Sequence, residues 1–164
     1  MKTSYEERAK KFIRQFNPFY EDFSDIEEAV SFFNMVKHRR VKISSGCTRD
    51  VLITSDYVIK LDIPGCPYDC FGSCKTEYAN YQLAVRDGFD YLFAKITCYV
   101  YKGVRWYIMP RIRYIGRYPY NAECYLTQKE NEWLDDNGFF DLHHLNYGWK
   151  DDKVVLIDYA SRSR

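Results

Sequence analysis

Three side chains near the end of the chain have types and spacing suited to phosphate chemistry. Asp141 is followed five residues later by Asn146, and a second carboxylate, Asp158, comes twelve residues beyond that. Asp158 closes the apolar run Val154-Val155-Leu156-Ile157, which reads as a buried strand. Lys150-Asp151-Asp152-Lys153 is a polar turn, so the implied geometry is a loop, a short hairpin and a carboxylate at the hairpin's end. Phosphoryl transfer from a nucleotide needs such a set. One carboxylate orients the attacking hydroxyl, while an Asn and a second Asp hold Mg²⁺ on the phosphates.

The elements that would position these residues follow from periodicity. Residues 3–16 predict a helix: Thr3 and Glu6 form a capping-box pattern, Ala9, Phe12, Ile13 and Phe16 fall on one face, and Asn17-Pro18 ends it. Ser24 and Glu27 repeat the box and open a second helix to about Arg40. The cluster Lys37-His38-Arg39-Arg40 suits the negative end of that helix dipole, and it also suits a small anion-binding patch.

From Val41 the period changes to two. Val41-Lys42-Ile43, Asp50-Val51-Leu52-Ile53 and Tyr57-Val58-Ile59-Lys60-Leu61 predict three antiparallel strands. Lys60 stands inside an apolar strand on the face it shares with Val58. A helix over 75–87 is closed by Gly88 and carries Glu77, Tyr81 and Ala84 on one face. Strands over 93–101 and 104–109, joined at Lys102-Gly103, form a hairpin. The order of strand, strand, strand, helix, strand, strand is an α+β lobe. Residues 111–126 read as irregular, and Thr127 with Glu130 opens a last helix over 127–137.

Composition narrows the classes. The chain has 164 residues, 46% hydrophobic and 29% charged, enough for a packed core and against disorder. A net charge of +1 gives no reason to expect a nucleic-acid or anionic-membrane partner. No apolar run approaches the roughly 20 residues of a membrane span. The start of the sequence is charged and has no apolar signal region, so a cytoplasmic location is expected, with the six cysteines reduced.

The Asp-Leu-His-x-x-Asn sequence at Asp141–Asn146, with Asp158 beyond it, resembles the catalytic loop and metal-binding strand of the protein kinase-like superfamily, and looks closer to its small-molecule kinase branch than to the usual eukaryotic protein kinase loop. The resemblance spans about residues 41–160 and implies, after the N-terminal helical pair (1–40), a five-stranded antiparallel lobe with one helix (41–110) and a reduced C-terminal lobe (111–164). It further implies ATP and Mg as cofactors. Asp141 would be the catalytic base, His143 would assist at the transferred phosphate, and Asn146 and Asp158 would be the metal ligands. Lys60 would grip the phosphates and pair with Glu77. Gly46, in the loop Ser44-Ser45-Gly46-Cys47-Thr48-Arg49, stands for the phosphate loop, and Val51 and Val58 complete the nucleotide-binding strands. Met109 and Ile112 flank a hinge at which Pro110 offers no N–H, so the backbone donor falls to Ile112 or a neighbour.

The chain departs from that pattern in three ways. The phosphate loop has one glycine, Phe139-Phe140 replaces the usual His-Arg, and six residues follow Asp158 where the family continues with substrate-binding helices. Very small kinase-like proteins encoded by phages are similar, which would place the protein in a host cytoplasm. A protein partner or a second copy would supply the missing wall. Taken singly, Asp141 also reads as a cap, Asn146 as a turn residue and Asp158 as a strand-end charge. Three readings stay open: a phosphotransferase acting on a hydroxyl of a protein or small molecule, a pseudokinase serving as a binding or inhibitory module, and transfer of AMP. Cys66, Cys70 and Cys74, spaced by three residues, would make a zinc site only with a fourth ligand such as Cys47 or a histidine, and otherwise read as ordinary cysteines.

Overall fold

In a computed structural model, which describes residues 3–46, 48–63, 73–115, 122–140 and 142–161, the alternating stretches after residue 41 build one antiparallel sheet. Its strands are β1 (Lys42–Ser45), β2 (Arg49–Ile53), β3 (Tyr57–Asp62), β4 (Thr97–Tyr101) and β5 (Val104–Pro110), in the order β1-β2-β3-β5-β4. The protein is thus α+β, as its pattern of elements predicts. The chain divides into two compact units, Met1–Ile63 with Thr97–Arg111, and Pro64–Ile96 with Ile112–Arg164.

In the first unit, side chains alternate across the sheet. Leu52, Ile59 and Ile108 form one cross-strand row, each fully buried. They share a core with α1 (Tyr5–Asp22) and α2 (Ile26–Lys37). The two helices therefore belong to the same unit as the sheet. Phe33 meets Phe12 and Phe16 edge-on, with ring centroids 5.2 and 5.4 Å apart, and Phe16 meets Trp106 at 6.3 Å.

Both helices differ at their ends from the sequence expectation. Ser4, not Thr3, caps α1, its hydroxyl accepting from the Glu7 N–H, and Asp25, not Ser24, caps α2. Pro18 does not stop α1, which continues to Asp22. A proline inside a helix costs about 3 kcal/mol. Beyond it, Phe19 packs on Phe33, Tyr20 on Trp106 and Phe23 on Phe32, at 5.3, 5.4 and 5.4 Å. Full burial of such a ring is worth about 1.5–3 kcal/mol, so three partly buried rings offset the missing backbone bond. α2 stops at Lys37, because His38 takes a left-handed φ of 50° and turns the chain, leaving Arg39 and Arg40 outside the helix.

The second unit holds α3 (Cys74–Asp87), α4 (Gln128–Asp136) and a three-stranded sheet of β6 (Arg113–Tyr114), β7 (Tyr147–Lys150) and β8 (Lys153–Leu156). Ser73 caps α3, and Gly88 closes it at φ 78°. The Thr127–Glu130 capping box of α4 is formed in both directions. Asp151 and Asp152, at φ 48° and 61°, make the tight β7–β8 turn, whose two central residues both need positive φ. β6 interrupts the stretch expected to be irregular. It is two residues long, too short to show a period.

The strand expected over 93–101 begins only at Thr97. Residues 90–92 form a 3₁₀ turn, and Phe93 makes a parallel bridge to Leu156. Phe93, Ala94 and Ile96 are buried in the second unit, so their apolar run reflects a crossing of its core and not a longer hairpin. Among the described residues, no helix is long and apolar enough to cross a membrane.

Candidate functional site

The second unit brings the loop after Asp141 against the end of β8. The His144–Asn146 segment is a 3₁₀ turn, entered by a bond from the Asn146 N–H to the His143 carbonyl at 2.8 Å. The Asn146 carbonyl then accepts from the Ile157 N–H at 2.7 Å and from the Asp158 N–H at 3.4 Å. Asn146 and Asp158, twelve residues apart in sequence, are therefore joined backbone to backbone. Asn146 is 8% exposed, and Asp158 is partly exposed.

α3 holds the next residue from both sides. The Tyr159 N–H donates to Glu77 Oε1 at 3.3 Å, and Asn80 Nδ2 donates to the Tyr159 carbonyl at 2.7 Å. The Tyr159 hydroxyl donates to the Ala94 carbonyl at 2.7 Å, and its ring lies 4.9 Å from that of Phe93. Glu77 is fully buried and Asn80 is 3% exposed. Buried polar groups of this kind persist only with partners, and the backbone next to Asp158 is among the partners here. Asn80 and Tyr159 went unrecognised in the sequence. The available signal was Asn80 lying three residues after Glu77, on the same helix face.

His143 is exposed, and its Nδ1 accepts from the Leu145 N–H at 3.2 Å. With Nδ1 an acceptor, the neutral ring carries its proton on Nε2. Asp141 lies outside the described residues. Its neighbour Phe140 donates its N–H to the Ser161 carbonyl at 3.4 Å, and Phe139 packs against Phe93 and Trp133 at 5.5 and 5.6 Å. Ile112 reaches the same hairpin, since its Cγ2 stands 2.5 Å from where a Cβ on Gly148 would lie.

In the first unit, Lys60 is 5% exposed and directly opposite Val51 on β2 and Tyr107 on β5. Val58 lies opposite Ile53 and Met109 on the same face. Val51, Val58, Lys60 and Met109 thus share the sheet face opposite the helices. Gly46 closes the β1–β2 connection, its N–H donating to the Arg49 carbonyl at 2.9 Å. The Arg111 N–H is taken by the Asp56 carbonyl at 3.0 Å.

Asn146 and Asp158 carry an amide oxygen and a carboxylate, which are donor types that Mg²⁺ takes. Cys66, Cys70 and Cys47 lie outside the described residues, while Cys74 is the buried first residue of α3. Among the described residues, no cluster of three or more His, Cys, Asp or Glu side chains is arranged to hold a metal ion. Compared with known proteins, the chain matches no family model, no curated protein and no solved structure.

Proposed function

We propose that the protein is an ATP- and Mg²⁺-dependent phosphotransferase with a kinase-like arrangement of residues. The observation that carries this reading is the backbone pairing of Asn146 with Ile157 and Asp158, together with the Glu77 and Asn80 clamp on Tyr159. The backbones of Asn146 and Asp158, from separate segments, are held together, and a buried helix glutamate bonds the residue that follows Asp158.

In this reading Asn146 and Asp158 hold the metal, which when bound neutralises phosphate charge. The Lys60 ammonium, on the face it shares with Val51, Val58 and Met109, binds phosphate oxygens of the nucleotide. Asp141 accepts the hydrogen of the acceptor hydroxyl. As the new O–P bond forms, the proton passes to that carboxylate and the bond to the nucleoside diphosphate breaks. His143 donates from Nε2 to an oxygen of the transferred group.

The test is incubation of the purified protein with Mg²⁺ and ATP labelled at the γ or the α position, across protein and small-molecule acceptors. Transfer of γ label that needs Mg²⁺ and is lost in Asp158→Ala supports the reading. Transfer of α label alone would replace it with AMP transfer. ATP binding of equal strength with and without Mg²⁺, and no transfer of either label, would replace it with a pseudokinase module.

A further inference from the structure

We propose that a cavity in the first unit, on the helix-bearing face of the sheet, binds a small molecule carrying several phosphate groups. The cavity has a volume of about 720 Å³ and is bounded by the first half of α1, the connection from α2 to β1, and the β2–β3 turn. Four cations line it, Arg8, Lys11, Arg39 and Arg40, against one carboxylate, Asp56. The whole chain carries a net charge of only +1, so this is a local concentration of positive charge and not a reflection of composition.

The one carboxylate is already engaged. Arg8 Nε donates to Asp56 Oδ2 at 2.8 Å, and its Nη2 reaches the same oxygen. Among the described residues, none of Lys11, Arg39 and Arg40 has an ion-pair partner. Three cations with no carboxylate between them repel one another, and a polyanion relieves that repulsion. The charge of Arg39 is also felt within the cavity wall. Burial, with Asp56 adding to it, pushes the Tyr57 hydroxyl above the ordinary tyrosine range, and Arg39 and Arg8 oppose that rise.

The backbone that carries these cations is fixed. His38 turns the chain out of α2, and Asn34 then pins Val41 from both sides, donating to its carbonyl at 2.8 Å and accepting from its N–H at 2.9 Å. Arg39 and Arg40 are thereby held between two anchored points. On α1, Arg8 and Lys11 are one turn apart and share a side of the helix with Phe12. The β2–β3 turn is held by the Thr54 hydroxyl, which donates to the Tyr57 carbonyl at 2.7 Å, and by Arg111 Nη1, which donates to the Thr54 carbonyl at 2.8 Å.

Phosphate is the ligand chemistry this set suits best, because guanidinium forks match paired phosphate oxygens. The volume is that of a ligand site and far exceeds one phosphate, which argues for several groups on one small molecule. The cavity is also distinct from the Lys60 face: Tyr57 and Ile59 point to the helix side of β3, Val58 and Lys60 to the other.

The experiment is calorimetric titration of the full chain at low salt with inositol hexakisphosphate and with tripolyphosphate. One saturable site is expected. Arg39→Gln combined with Arg40→Gln should weaken it by about tenfold for each arginine replaced. Lys11→Gln, on a different element, should weaken it as well. Removing the same charge elsewhere, by Arg105→Gln with Lys129→Gln, should leave it unchanged. Absence of binding, or equal weakening by the Arg105 and Lys129 pair, would overturn the proposal. So would tighter binding of a single-stranded oligonucleotide through the same arginines, since that would make the cavity part of a nucleic-acid surface.

Discussion

Glu77 and Tyr159 are 82 positions apart in sequence, yet Glu77 Oε1 accepts the Tyr159 N–H at 3.3 Å, with both residues buried. The carboxylate is thus tied to the backbone immediately after Asp158. Glu77→Ala should leave that N–H without its acceptor and destabilise the protein by about 1–3 kcal/mol. Glu77→Gln keeps an oxygen in place and should retain most of the stability, while lowering the proposed phosphate transfer. Thermal unfolding of the two variants separates the roles. If the alanine variant melted with the wild type, the bond would carry no structural weight.

If the protein transfers phosphate as proposed, Asp141→Asn should abolish transfer while nucleotide affinity stays within about a factor of two or three, because an interaction made only in the transition state lowers turnover and leaves ground-state binding nearly intact. Calorimetry with Mg-ATP, paired with label transfer, measures both. Unchanged transfer would remove Asp141 from the mechanism. His143, proposed only to assist at the phosphate, should matter less.

Gly148→Ala should destabilise the second unit. A Cβ there would lie 2.8 Å from the Arg113 carbonyl oxygen and 2.5 Å from Ile112 Cγ2. The side chain can rotate away, but the carbonyl belongs to β6, which pairs with β7 through Tyr114 and Gly148. Overpacking of this kind costs about 1–3 kcal/mol. Denaturant unfolding would show it as a lower midpoint, and an unshifted midpoint would mean that β6 yields freely.

Acid should loosen α4. Burial tends to raise the Glu130 carboxyl, but the Thr127 N–H and hydroxyl, the Tyr91 hydroxyl and Lys153 outweigh it and hold it below the ordinary range. A depressed folded pKa means stability that is present above the unfolded value and is lost as pH falls through the folded one. Wild-type unfolding temperature should therefore drop, from the ordinary glutamate range downward, more steeply than that of Glu130→Gln. Parallel curves for the two proteins would show that the capping box is not linked to protonation.

The local signals of this chain were readable because each depends on a few neighbouring residues. Period two set out β1 to β3, the polar turn at 150–153 and the apolar run after it set out the β7–β8 hairpin, Gly88 ended α3, and the Thr127–Glu130 box opened α4 where expected. Asp141, Asn146, Asp158, Lys60 and Glu77 could be singled out for the same reason, by type and order along the chain.

The misreadings were failures of local rules against distant packing. Pro18 ends helices in isolation, but the rings of Phe19, Tyr20 and Phe23 find Phe33, Trp106 and Phe32 from other segments. The apolar run at 93–96 looks like strand until the bridge from Phe93 to Leu156 assigns it to the core of the second unit.

By itself the sequence determined the element types, the α+β class and the candidate polar residues, since periodicity and capping are written in residues a few positions apart. Only the tertiary structure decided what those residues hold. It joined the Asn146 carbonyl to the Asp158 N–H, set Glu77 and Asn80 on Tyr159, and gathered Arg8, Lys11, Arg39 and Arg40 around one cavity. Each of these depends on segments brought together by burial of apolar surface, and no short stretch of sequence records which distant partner that burial selects.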